Sequence, residues 1–132
     1  MWKRYPDLEP IRRLPQEGRE LLGEIVVLTE KRDGENVSLW LDEDGNVHIA
    51  SRRMKNASID IQNRMKSTPE YKKGIELLKS ELEFGKRVIL YGELLKHVSP
   101  TRIEPRRKHI HWIMFDIYDL GQQRFLGYEY VY

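Results

Sequence analysis

Thr29-Glu30-Lys31-Arg32-Asp33-Gly34-Glu35-Asn36 sits between two apolar runs, and its reading decides the fold. Glu24 to Leu28 is short and carries the β-branched Ile25, Val26 and Val27, which predicts a strand, and Val37 to Leu41 resumes a strand pattern. Lys31 therefore falls in a tight connection between strands. Gly34 is needed there if the backbone turns through positive φ or a ligand comes close, because a Cβ would be in the way. One lysine at a strand end beside a glycine suits a nucleophile aimed at a phosphate. A lysine with its ordinary pKa of about 10.4 is almost wholly protonated at neutral pH. Nucleophilic chemistry therefore needs that pKa lowered, by partial burial, by a neighbouring cation such as Arg32, or by a bound metal ion. A charged turn with a solvated lysine is the alternative.

Downstream, Val37, Leu39 and Leu41 alternate with Ser38, Trp40 and Asp42. Asp44-Gly45 then signals a hairpin turn, and Val47 and Ile49 alternate with Asn46, His48 and Ala50. A strand, loop and hairpin thus carry both Lys31 and the Ser51-Arg52-Arg53 that follows, and both emerge near the same end of one sheet. His48 reads as a strand surface residue.

Ala57 to Met65 predicts a short helix with loose periodicity. A clearer helix start lies at Ser67-Thr68-Pro69-Glu70, with a hydroxyl cap, a proline in the first turn and a glutamate placed to reach back. Tyr71, Ile75, Leu78 and Leu82 recur at helical spacing with Leu77 and Phe84 beside them, a face for packing on a sheet, and Gly85 is a stop. Val88, Ile89 and Leu90 return to strand and lead into Tyr91-Gly92-Glu93-Leu94. A carboxylate at the end of a buried strand is costly without a partner, which draws attention to Glu93. Gly92 would permit close backbone approach.

Lys96 to His111 holds the densest positive charge, with Arg102, Arg106, Arg107 and Lys108, and Pro100 and Pro105 make it a loop. Such a loop can lie along a nucleic-acid backbone or can simply be a solvated connection. Its histidines have no metal-like spacing with carboxylates. Ile110 to Leu120 predicts the last strong strand, with Trp112, Met114, Asp116 and Tyr118 on one side and Ile113, Phe115 and Ile117 on the other. The lead-in from Met1 to Gly23 is polar and basic, with a short helix across Glu17 to Leu22, and Trp2 and Tyr5 pack back on the domain without an assigned role.

Composition sets the frame. A chain of 132 residues with 39% hydrophobic and 10% aromatic residues is read as a single folded domain, 1–132. Its 23 basic and 21 acidic side chains leave a net charge of +2, too small to name a partner by itself. There is no cysteine, hence no disulfide framework and no thiolate metal site, which fits a cytoplasmic protein. No apolar run approaches the roughly 20 residues of a membrane helix, and the N-terminus lacks a signal-peptide core.

Taken in order, Glu30-Lys31-Arg32-Asp33-Gly34-Glu35-Asn36, Ser51-Arg52-Arg53, Tyr91-Gly92-Glu93-Leu94 and Phe115-Asp116-Ile117 resemble motifs I, Ia, III and IIIa of the covalent nucleotidyltransferases. These are the ATP-dependent DNA and RNA ligases and the GTP-using mRNA capping enzymes. The form of the first motif, with an asparagine two places after the glycine, looks most like the RNA ligase branch. The resemblance covers roughly residues 20 to 130 and implies an α+β adenylation domain, mainly antiparallel sheets with flanking helices. It implies ATP and Mg²⁺ as cofactors, a lysyl-AMP on Lys31, and transfer to a 5′-phosphate on RNA or on a nicked duplex before a 3′-hydroxyl seals the strand, as in RNA repair. It assigns adenine contacts to Glu30, ribose contacts to Arg52 (with Arg53 as the alternative) and Glu93, and base stacking to Phe115. Asn36 and Asp33 would organise phosphate or metal, and Asp116 would orient neighbours or cap its strand.

Two later family motifs, a glutamate strand that helps hold metal and a strand with phosphate-binding lysines, do not follow in this sequence. The expectation is therefore the N-terminal part of an adenylation domain, either a piece of a larger ligase or a short relative. Rival readings stay open: a DNA ligase fragment, a capping guanylyltransferase, a non-catalytic nucleic-acid-binding module served by the basic loop, or a half-domain that completes its sheet as a homo-oligomer.

Overall fold

Alternation of apolar and polar residues builds a hairpin from β1 (Gly34–Leu41) and β2 (Val47–Ser51), paired antiparallel from Leu41↔Val47 to Val37↔Ser51. The connection closes on Asp42, whose Oδ1 accepts from the backbone N–H groups of Asp44 and Asn46 at 2.9 Å each. Gly45 takes φ +82°, a conformation that is open to glycine without steric cost. The structure is a computed structural model and describes residues 2–6, 34–95 and 110–126. The expected strand Glu24 to Leu28, the helix Glu17 to Leu22 and most of the basic loop lie outside the described residues.

Two helices follow. Helix α1 (Ile59–Lys66) is capped by Ser58, whose Oγ accepts from Ile61 N at 3.3 Å. Helix α2 (Pro69–Glu83) begins at the predicted proline and ends at Gly85, φ +77°. There Gly85 N donates to Leu82 O and Lys86 N to Glu81 O, the paired bonds of a Schellman closure. Two details of the expected start differ. The Thr68 hydroxyl caps nothing in α2 but donates to Met65 O at 2.7 Å, since the last carbonyls of α1 lack helical partners and compete for it. Glu70 does not reach back. It reaches across to the last long strand, accepting from Trp112 N at 2.7 Å and contacting His111 Nδ1 at 3.1 Å.

Strands β3 (Val88–Leu95), β4 (Trp112–Asp119) and the short β5 (Arg124–Phe125) complete a sheet in the order β2-β1-β3-β4-β5, with every described pairing antiparallel. This is the expected α+β architecture. One face of the sheet packs on the helices: Val37, Leu39, Leu90, Leu94 and Trp112 meet Met65 and Leu78 in one apolar cluster. Trp40, Ala50, Ile89, Tyr91 and Tyr118 form a second cluster on the opposite face. Phe84, expected to join the helical core, is 79% exposed, because it sits where α2 has already ended.

The predicted alternation along β4 breaks in the middle. Tyr91 pairs with Asp116 but Gly92 pairs with Met114, so Phe115 is an extra, unpaired residue, a β-bulge. Trp112, Met114 and Ile117 consequently pack toward the helices, whereas Phe115 and Tyr118 belong to the opposite face. Gly92, across from the bulge, is fitted to the Trp112 indole. A Cβ there would come within 2.5 Å of Trp112 Nε1, whose N–H donates to Val37 O at 3.0 Å.

Candidate functional site

The register gathers most of the predicted residues that the structure describes. Gly34 pairs with Leu95 and Asn36 pairs with Glu93, so the start of β1 and the end of β3 share one end of the sheet. Ser51 pairs with Val37, so Arg52, the next residue and an exposed one, leaves β2 at that same end. Asn36 lies two and four residues from Ser38 and Trp40, and Glu93 two from Tyr91. Strand periodicity therefore puts Asn36 and Glu93 on the face opposite the helices, with Phe115. Arg53 is exposed beside Arg52.

Lys31, Glu30 and Asp33 lie outside the described residues, as do Arg102, Arg106, Arg107 and Lys108. In the sequence Lys31 stands three positions before Gly34, with Arg32 and Asp33 between them. Gly34 itself is not in a left-handed turn, which corrects one of the two reasons given for it. The neighbour that excludes a side chain is the β3 backbone, since a Cβ on Gly34 would fall 2.2 Å from Leu94 O. Glu35, on the other face, is held by Arg64 of α1, whose Nη2 donates to Oε1 and Oε2 at 3.2 and 3.0 Å. Nothing in the local sequence signals that bond, because its partners are 29 residues apart.

Other groups on the open face were not assigned in advance. Tyr5 donates its hydroxyl to Asp116 Oδ2 at 3.0 Å, and Trp2 Nε1 donates to Ser38 Oγ at 3.1 Å. Asp116 Oδ1 accepts from its own neighbour, Ile117 N, at 2.9 Å. Burial pushes the Asp116 carboxyl above the usual range, and burial likewise raises the Tyr91 phenol. Farther along, at the hairpin, His48 stacks on Trp40 with ring centroids 4.3 Å apart, and its Nε2 bonds Asp42 Oδ2 at 2.7 Å. That hydrogen bond, before the backbone donors of the turn, lowers the Asp42 pKa to about 2. His48 is thus a structural clamp on the strand surface.

Among the described residues no three His, Asp or Glu side chains converge in a way that could hold a metal ion. Magnesium keeps several waters and binds through one or two carboxylates plus substrate phosphates. A groove along α2 lined by Lys66, Tyr71, Lys72 and Lys79 contains none of the predicted residues. None of the described helices is long and apolar enough to cross a membrane.

A family model for RNA ligases matches residues 24–131, nearly the whole chain, and the chain belongs to that family. Among solved structures the fold is similar to an archaeal ATP-dependent RNA ligase, with a TM-score of 0.53 and 16% identity over 76% of this chain and 25% of that one. It is similar to a Naegleria gruberi RNA ligase mutant with ATP and Mn at the same TM-score and identity, over 74% of this chain and 28% of that one. The chain thus spans about a quarter of the length of these ligases, and at this identity the likeness is one of fold. Comparison with curated proteins gives no match.

Proposed function

We propose that this chain is the nucleotide-accepting part of an ATP-dependent RNA ligase, with Lys31 as the residue that takes AMP. The observation that carries the reading is the in-register pairing of Asn36 with Glu93, with Arg52 leaving β2 at the same sheet end and Phe115 on the same face. In the sequence Lys31 stands three positions before Gly34, the first residue of β1.

In the proposed reaction the neutral Lys31 Nζ attacks the α-phosphorus of ATP. A P–N bond forms, the bond from that phosphorus to the bridging oxygen breaks, pyrophosphate leaves, and the amine gives up a proton. A 5′-phosphate oxygen of RNA then displaces the lysine to form a 5′-5′ pyrophosphate linkage. Finally a 3′-hydroxyl attacks the 5′-phosphate and expels AMP as the strands join. Glu30 would contact the adenine, Arg52 and Glu93 the ribose, Phe115 would stack on the base, and Asn36 and Asp33 would organise the phosphates. Electrostatic stabilisation of the charge developing at phosphorus is usually the largest single catalytic contribution. Arg102, Arg106, Arg107 and Lys108 would run along the RNA backbone. Mg²⁺ would enter with ATP.

The test is incubation of the protein with α-labelled ATP or GTP and a divalent cation, followed by a denaturing gel. Label retained from ATP, lost in Lys31→Ala, supports the reading, and preferential sealing of nicked RNA over nicked DNA assigns the substrate. Retention from GTP alone, or no retention in any condition, contradicts it.

A further inference from the structure

The N-terminal residues Trp2 to Tyr5 run as a strap across the open face of the sheet and hydrogen-bond to three of its strands. Trp2 Nε1 donates to Ser38 Oγ on β1, the Tyr91 hydroxyl on β3 donates to Lys3 O, and Tyr5 donates to Asp116 on β4. The Lys3 ammonium lies 4.7 Å from the centre of the Tyr118 ring. The Tyr5 ring packs edge-on against Phe115 at 5.0 Å and 81°, and against Phe125 at 5.3 Å and 75°, with Tyr91 tilted beside it at 5.0 Å. A single side chain therefore grips two successive residues, Phe115 by its ring and Asp116 by its hydroxyl.

That grip falls on the bulge. A bulged residue is left out of the ladder, so the register that would otherwise fix its direction is missing. Side-chain contacts must then supply it, and Tyr5 provides the edge-to-face contact expected of aromatic pairs. We infer that Tyr5 is a positioning residue for nucleotide binding: it holds the bulged Phe115 ring in the attitude that stacks on the base, without itself touching the nucleotide. This inference rests on the ligase reading given above.

The experiment is the dependence of lysyl-AMP formation on ATP concentration in the full chain and its variants. Tyr5→Ala should raise the KM for ATP about tenfold, equivalent to about 1.4 kcal/mol, with kcat little changed. Tyr5→Phe, which keeps the ring, should restore most of the loss. Tyr5→Leu fills the space without a ring, so it gives the same reading as Tyr5→Ala if the alanine variant fails to fold. Trp2→Ala removes the Ser38 bond and keeps the Tyr5 ring, and should lower the melting temperature without raising KM. A KM unchanged in both Tyr5→Ala and Tyr5→Leu overturns the inference. So does a lowered KM, the result expected if the strap blocks the site. Wild-type protein that forms no lysyl-AMP overturns the ligase reading and this inference with it, an outcome distinct from active wild type with indifferent Tyr5 variants.

Discussion

Asn36 and Glu93 stand directly opposite one another across β1 and β3, on the face of the sheet away from the helices. Directly opposed residues of an antiparallel pair have Cβ atoms about 4.5–5.5 Å apart, so the carboxamide and the carboxylate are cross-strand neighbours. Under the proposed function both serve one ligand, and two groups this close should then not act independently. Asn36→Ala and Glu93→Ala are each expected to slow lysyl-AMP formation by about 10- to 100-fold, the range for hydrogen bonds to charged groups. The double variant should fall short of the product of the two effects, with a coupling of about 0.5–3 kcal/mol. Single-turnover rates with labelled ATP check this.

Gly92 carries a packing role that is separable from any ligand. Its missing Cβ leaves room for the Trp112 indole, and Ile113 O stands 2.8 Å from the same point. Gly92→Ala is expected to destabilise the protein by about 1–3 kcal/mol through overpacking. Gly45→Ala meets no atom within 4 Å but sits at φ +82°, and should lose only about 1 kcal/mol through backbone strain. Urea titration of both variants gives the ranking.

Glu70 joins α2 to the start of β4. Replacing it with alanine leaves the Trp112 N–H without its 2.7 Å partner and removes the contact to His111. A loss of about 1–3 kcal/mol is expected, with Glu70→Gln retaining most of the stability because its carbonyl still accepts. Thermal unfolding of the two variants distinguishes the cases.

Asp42 predicts an acid-sensitive hairpin. Its pKa is depressed to about 2 in the fold, chiefly by the His48 hydrogen bond, against an ordinary value of 3.8. A depressed acid contributes stability above its unfolded pKa and loses it as the pH falls through the folded one. Stability should therefore drop between about pH 4 and pH 2, and Asp42→Asn should flatten this part of the profile. Chemical denaturation across that range measures it.

The elements that could be read from sequence are those built by local rules. Alternation from Val37 to Leu41 and the Asp44-Gly45 turn specify the hairpin, while Pro69 and Gly85 bracket α2. The order of the motifs led to the family, and strand register sets Asn36 opposite Glu93 with Arg52 leaving β2 at the same sheet end. What escaped reading depends on distance or on a single added residue. The bulge at Phe115 leaves no trace in a run of apolar residues, because Met114 and Phe115 suit either face. Tyr5 finds Asp116 across 111 positions, and no period connects them. Glu70 and Thr68 were expected to close their own helix, but tertiary partners offered better hydrogen bonds. Gly34 was expected to serve a positive-φ turn or a close ligand approach, and the atom that excludes a side chain is a carbonyl on β3.

The most direct measurement of the central claim is peptide mass mapping of the protein after incubation with ATP and a divalent cation. The account predicts one AMP on the peptide that contains Lys31, on a bond that acid cleaves and alkali spares, as befits a phosphoramidate. An unmodified Lys31 peptide, or AMP carried by another residue, would contradict it.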